Sequence, residues 1–162
     1  MIIRAMKEED LPAVMDIYAG AREFMKRIGN PNQWRDSWPP RDVIEQDIQD
    51  GIGYVVEENG TICGAFACWY GDHPEPTYDR IYNGSWITEG PYAVIHRIAA
   101  IEGSHAGRYA IEQTIDRYHH VRIDTHHDNA AMRHTLKRIG FTECGIIYLE
   151  NGEERVALEI SR

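Results

Sequence analysis

Between Ile98 and Gln113 the chain reads IAAIEGSHAGRYAIEQ: an apolar run stops, small residues and glycines follow, and a helical pattern begins. That order of residue types can build a seat for a phosphate. The first backbone N–H groups of a helix lack intrahelical partners, and the helix dipole places roughly half a positive charge at the same end. Gly103 and Gly107 would let the backbone approach a ligand with no Cβ in the way, and Arg108 brings a direct charge. Ser104 and Ala106 complete the loop. A plain turn followed by a capping serine has the same look. Neither the Lys-Ser/Thr of a P-loop nor the three-glycine spacing of a dinucleotide site is present.

Histidines are the second group that could do chemistry. His126, His127 and His134 gather around Asp128. Adjacent residues at a strand end are expected to point to opposite faces, so His126 and His127 should not share an ion, and no metal site is predicted. Cys63, Cys68 and Cys144 have no metal-ligand spacing; they lie in strand-like segments and read as buried thiols of a reducing cytoplasm.

The elements that must position these residues fit one domain over 1–162. A chain of this length buries roughly 70% of the surface it exposes when unfolded, and an apolar fraction of 43% supports a core rather than disorder. No apolar run reaches the ~20 residues that cross a bilayer, and MIIRAMKEEDLP has no signal-peptide apolar region. A net charge of −9 without a Lys/Arg cluster argues against nucleic acid; it is compatible with a cationic small substrate and equally with solubility alone.

MIIRAM reads as a strand. Leu11, Val14, Met15, Tyr18, Phe24, Met25 and Ile28 fall near helical spacing, ended by Gly29-Asn30-Pro31, and PPRDVIEQDIQDG makes a second helix. Two strands flank Asn59-Gly60, a hairpin signal. After the aromatic, loop-rich stretch 72–91 come strand YAVIHRIAAI, helix HAGRYAIEQTIDRYHH, strand VRIDTH, helix DNAAMRHTLKRIG and a hairpin turning at Asn151-Gly152. Crossover helices require parallel pairing and hairpins antiparallel pairing, so a mixed sheet is expected.

This order, and the run from Tyr92 onward, resembles the GNAT superfamily of acetyl-CoA-dependent N-acetyltransferases. Their pyrophosphate loop reads Arg/Gln-x-x-Gly-x-Gly/Ala; here EGSHAG keeps Gly103 and Gly107 and carries His105 where glycine is usual. A second motif, Asn-x-x-Ala-x-x-x-Tyr-x-x-x-Gly-Phe, is matched by Asn129, Gly140 and Phe141, while Met132 and Leu136 depart. The segment RIDTHHDNAAMRHTLKRIGFTECGIIYLENGEER resembles a bacterial branch of the superfamily.

The resemblance implies an α+β fold: a three-layer α/β/α arrangement with a mixed, mainly antiparallel sheet of about six or seven strands and about four helices. It implies acetyl-CoA as cosubstrate, its pyrophosphate on Gly103, Ser104, Ala106, Gly107 and Arg108. The pantetheine arm would lie along the backbone of Ile98 and Ala100, with a further contact at Asn129. The usual general-acid tyrosine falls at Leu136, which has no proton to donate. His96, just before the expected thioester contact, is the candidate base, or else a half-buried strand histidine bonded to a neighbour. Asn129 serves equally as a helix N-cap. Acceptor pockets in this fold draw on the first helices and on the segment before the fourth strand. Trp34, Trp86 and Tyr92 are the residues taken to line one here, in a set of aromatics and acids that suits an amine or seals a core edge.

The expected activity is transfer of an acetyl group from acetyl-CoA to a primary amine, on a small molecule or a peptide, by direct attack in a ternary complex. The expected partners include no nucleic acid and no membrane, and the resemblance admits a homodimer. Two competitors are an acyl-CoA-binding module without turnover, acting through partner binding, and a nucleotide-binding protein of another kind.

Overall fold

The computed structural model describes residues 1–162. Its elements are β1 (Ile2–Ala5), α1 (Leu11–Arg27), α2 (Arg41–Gln49), β2 (Gly53–Glu58), β3 (Thr61–Gly71), β4 (Tyr92–Ala100), α3 (Ala106–Tyr118), β5 (His120–Thr125), α4 (Ala130–Ile139), β6 (Thr142–Tyr148) and β7 (Glu154–Ser161). The strands form one seven-stranded sheet in the order β1-β2-β3-β4-β5-β7-β6. Pairing is parallel between β4 and β5 and antiparallel between β1 and β2, β2 and β3, β5 and β7, and β6 and β7. This is the mixed α/β architecture that the sequence implies. No helix is long and apolar enough to cross a membrane.

Two compact units divide the chain. The first comprises Met1–Cys68 and His96–Ile111. The Asn59-Gly60 turn makes its β2–β3 hairpin: both residues have positive φ, +53° and +78°, as the two-residue turn that matches strand twist requires. Helix α1 turns Leu11, Val14, Ile17, Tyr18 and Met25 into a core with Ile44 of α2, Val55 of β2, Ala65 of β3 and Ala99 of β4. Trp34 belongs to that core, its ring edge-on to Tyr18 at 5.7 Å.

The second unit comprises Trp69–Ile95 and Glu112–Arg162. Its core holds Tyr78, Tyr92, Val94, Ile147 and Ala157, with Trp69, Ile81, Trp86 and Leu149 packed against it. A charged cluster fixes the loop-rich segment before β4. The Arg122 guanidinium lies 4.2 Å from the Trp86 ring centre and 4.3 Å from that of Tyr92. It donates to Glu159 at 2.6 Å and to the Thr88 carbonyl at 2.7 Å. Glu159 also accepts the N–H groups of Ile87 and Thr88 and contacts His120 at 3.0 Å. Although burial alone would raise its pKa, these bonds hold the Glu159 carboxyl down at about 2.

Candidate active site

Strand β4 carries the backbone of the site. Its ladder with β5 pairs Ala93 with Val121 and Val94 with Arg122 and ends there. Three residues on, Arg97 has φ +52°, a left-handed conformation inside a strand. For a residue with a Cβ this costs on the order of 1–2 kcal/mol, so its surroundings must hold it there. They do so at both ends. The Arg97 guanidinium donates to both carboxylate oxygens of Asp47, each at 2.8 Å, and the Tyr18 hydroxyl donates to the Arg97 carbonyl at 2.6 Å. Asp47 is buried, and burial pushes the Tyr18 hydroxyl pKa up, so it stays a donor. His96 and Ile98 flank this residue and are half-buried, as is Ala100, while Ala99 points into the core.

The loop after β4 is a turn with a purpose for each residue. Ser104 N–H donates to the Ile101 carbonyl at 3.0 Å, with Gly103 at φ +82° in the position that requires it. The Ser104 hydroxyl donates to the same carbonyl at 2.6 Å and accepts from the Ala106 N–H at 3.3 Å, so it ties the turn to the start of α3. His105 has φ +63°, which explains the glycine usual at this place in the motif: the backbone is left-handed. Its carbonyl accepts the Tyr109 N–H at 3.1 Å, the first bond of the helix. A Cβ on Gly103 would meet nothing within 4 Å, and one on Gly107 only the Ala100 Cβ at 3.9 Å, an ordinary van der Waals contact, so the fold leaves room at both. Open glycines at a helix start fit the pyrophosphate of acetyl-CoA, which backbone N–H groups can approach.

Gly64 and Arg27, which the sequence pattern does not single out, adjoin this loop. Ala106 is fully buried, and a Cβ on Gly64 of β3 would lie only 3.0 Å from its Cβ, so the absence of a side chain at Gly64 seats the start of α3. Glu102, the acid ahead of the glycines, is met by Arg27 at 2.8 Å; the guanidinium holds its carboxyl below the usual range. Asp47 did leave a trace in the sequence, an acid on the apolar stripe of α2 between Ile44 and Ile48. Tyr18 counts there only as part of an apolar stripe.

The remaining residues named from the sequence lie as follows. Trp34 is 8% exposed and packed in the core of the first unit. In the second unit, Tyr92 is 1% exposed and, with the half-buried Trp86, encloses Arg122; the Trp86 indole N–H donates to the Tyr78 carbonyl at 2.7 Å. Burial pushes the Tyr92 hydroxyl pKa up. Asn129 caps α4, its side-chain oxygen accepting the Met132 N–H at 3.1 Å. Leu136 is wholly buried. The Tyr109 hydroxyl donates to the Met1 carbonyl at 2.8 Å.

One expectation about the histidines is corrected. His126 and His127 do not diverge: β5 ends at Thr125, both lie in the following loop, and their rings stack at 4.3 Å beside Asp128. Donor atoms of the three residues lie within 4.8 Å of one another. The Asp128 N–H donates to His126 Nδ1 at 3.0 Å, which occupies that lone pair. Burial, with Arg155 and His127 close by, pushes the His126 pKa down.

Against known proteins, the sequence model of the acetyltransferase (GNAT) domain matches residues 1–142. No curated protein sequence matches the chain. Among solved structures, a GNAT-family acetyltransferase from Streptococcus agalactiae 2603 is 29% identical, with a TM-score of 0.83 over 99% of this chain and 95% of that one. A ribosomal-protein-alanine N-acetyltransferase from Brucella melitensis is 19% identical, with a TM-score of 0.63 over the whole of both chains. A chain of the NatC complex, solved with Gag peptide and CoA, is 12% identical, with a TM-score of 0.65 over 99% of this chain and 98% of that one. The last two share the fold with this chain.

Proposed function

Because the chain belongs to the GNAT acetyltransferase domain family, we propose that it moves an acetyl group from acetyl-CoA to a primary amine of a small molecule or peptide. The observation that carries this reading is β4 with its continuation. A strand that leaves its parallel ladder after Val94 turns left-handed at Arg97 and runs into an open-glycine loop at a helix start. The strand offers backbone groups to an extended arm, and the loop offers N–H groups to a pyrophosphate.

In this reading Gly103, Ser104, Ala106, Gly107 and Arg108 hold the pyrophosphate, and Ile98 and Ala100 hold the arm by their backbones. The amine lone pair attacks the thioester carbonyl carbon, the C–N bond forms, the C–S bond breaks, and the thiolate takes up a proton. His96 receives the proton the amine gives up, a role typically worth about 10²–10⁴-fold. With leucine at 136, the thiolate leaves without help from a side-chain acid at that place. Asn129 is the further contact that the family resemblance implies.

Thiol release measured with acetyl-CoA and a panel of amines, for the wild type and His96→Ala, tests this directly. The reading expects turnover with at least one amine and a loss of about a hundredfold or more in His96→Ala. Tight acetyl-CoA binding with no thiol released for any amine would overturn it in favour of a binding module.

A further inference from the structure

We infer that Tyr18 and Asp47 are positioning residues: together they hold Arg97 left-handed and so fix the direction in which the Ile98 N–H is presented. A peptide unit is planar and trans, so the carbonyl of Arg97 and the N–H of Ile98 point opposite ways from one rigid plate. The Tyr18 hydroxyl grips that carbonyl at 2.6 Å, and the orientation of the Ile98 N–H follows. Asp47 grips the other end of the residue with two bonds to the guanidinium, so the plate has no free rotation about Arg97. Nothing in arginine itself favours φ +52°. Both gripping residues come from helices, 79 and 50 positions away from Arg97 in sequence, and both are buried.

Stability alone is a poor account of the pair. A buried ion pair is commonly matched or bettered by apolar residues of similar volume, whereas a fixed peptide plane is something an apolar pair could not provide. What the Ile98 N–H meets rests on the function proposed above, in which the Ile98 backbone holds the arm of acetyl-CoA; an N–H there would face the thioester carbonyl. The grip itself does not depend on that reading.

Two variants test it. Tyr18→Phe keeps the ring that packs on Trp34 and removes one donor; Asp47→Asn keeps the shape and removes the charge. By NMR, the wild-type Ile98 amide should have a rigid-backbone order parameter of about 0.85, falling toward about 0.6 in each variant. The Arg97 backbone carbon shifts should leave their left-handed values, while the amides of β1 and β2 stay as they were. The thiol-release kcat should drop about tenfold or more, and the Kd for CoA, carried mainly by the pyrophosphate contacts of Gly103, Ser104, Ala106, Gly107 and Arg108, should change less than kcat does. Unchanged Arg97 shifts and Ile98 order in both variants would overturn the inference. So would a uniform loosening of the first unit, which would make the two residues ordinary core members. If the wild type releases no thiol, the proposed function fails while the NMR result still decides the grip. If Asp47→Asn does not fold, Tyr18→Phe decides alone.

Discussion

The Glu102 carboxylate and the Arg27 guanidinium meet at 2.8 Å, one residue ahead of Gly103. An acid at the mouth of an anion seat would repel the ligand, and the arginine at the end of α1 cancels it. Arg27→Ala should therefore weaken acetyl-CoA binding about threefold to tenfold at low salt, with the effect shrinking as salt rises. Because both side chains are exposed, the melting temperature should hardly move. Adding Glu102→Gln to Arg27→Ala should recover most of the affinity. Calorimetric titration of the four proteins makes the cycle.

Gly107 separates binding from stability. A Cβ there has room, and aspartate in the first turn of α3 suits the helix dipole and removes the entropy cost of glycine. Gly107→Asp should raise stability by about 1 kcal/mol, a few degrees in Tm for a domain of this size, yet weaken acetyl-CoA at least about tenfold by charge. A protein that is both stabler and a poorer binder would mark the helix start as the seat. Unchanged affinity in Gly107→Asp would move the pyrophosphate elsewhere.

His105 and Gly64 probe the same cradle from its backbone. With φ +63° at position 105, His105→Gly should relieve strain, change stability by no more than about 1 kcal/mol, and tighten acetyl-CoA severalfold by removing the exposed side chain. Gly64→Ala should do the reverse. Its Cβ would sit 3.0 Å from that of Ala106, costing about 1 kcal/mol or more in overpacking and displacing the start of α3. Acetyl-CoA affinity should fall in step, read in the same titrations.

Glu159 sets an acid limit. Its carboxyl titrates at about 2 in the folded chain, below its ordinary value near 4.3. The stabilisation is therefore present above the unfolded value and is lost as pH falls from about 4.3 toward 2, on the order of 2–3 kcal/mol. Glu159→Gln should be clearly less stable than wild type at pH 7, and the gap should narrow below about pH 4 and close only near pH 2. Denaturant unfolding at a series of pH values measures it; a constant gap would show that the carboxylate charge is not what Arg122 and His120 stabilise.

Local signals carried most of the fold. The Asn59-Gly60 turn, the α1 stripe and Pro-Pro ahead of α2 are short-range patterns whose physics acts within a few residues, and the structure has each of them. The glycine loop was legible for the same reason. Contacts between distant residues left little trace: Arg97 is an ordinary strand arginine until Asp47 and Tyr18 arrive from far along the chain, and Gly64 shows its purpose only once α3 packs over it. Composition alone does not show what the aromatic residues before and at the start of β4 touch. Trp86 and Tyr92 suggest a ligand wall, and the structure turns them onto Arg122, a cation supplied by the same chain. His126 and His127 diverge only if the strand continues, and it stops at Thr125.

Calorimetric titration of the wild-type protein with acetyl-CoA decides whether the glycine loop is a cofactor seat. A single site per chain is expected, with a dissociation constant in the micromolar range, about −8 kcal/mol, weakened in Gly107→Asp. No heat at millimolar acetyl-CoA from a folded protein would contradict it, and would leave the glycine loop as a turn that seats a helix and nothing more.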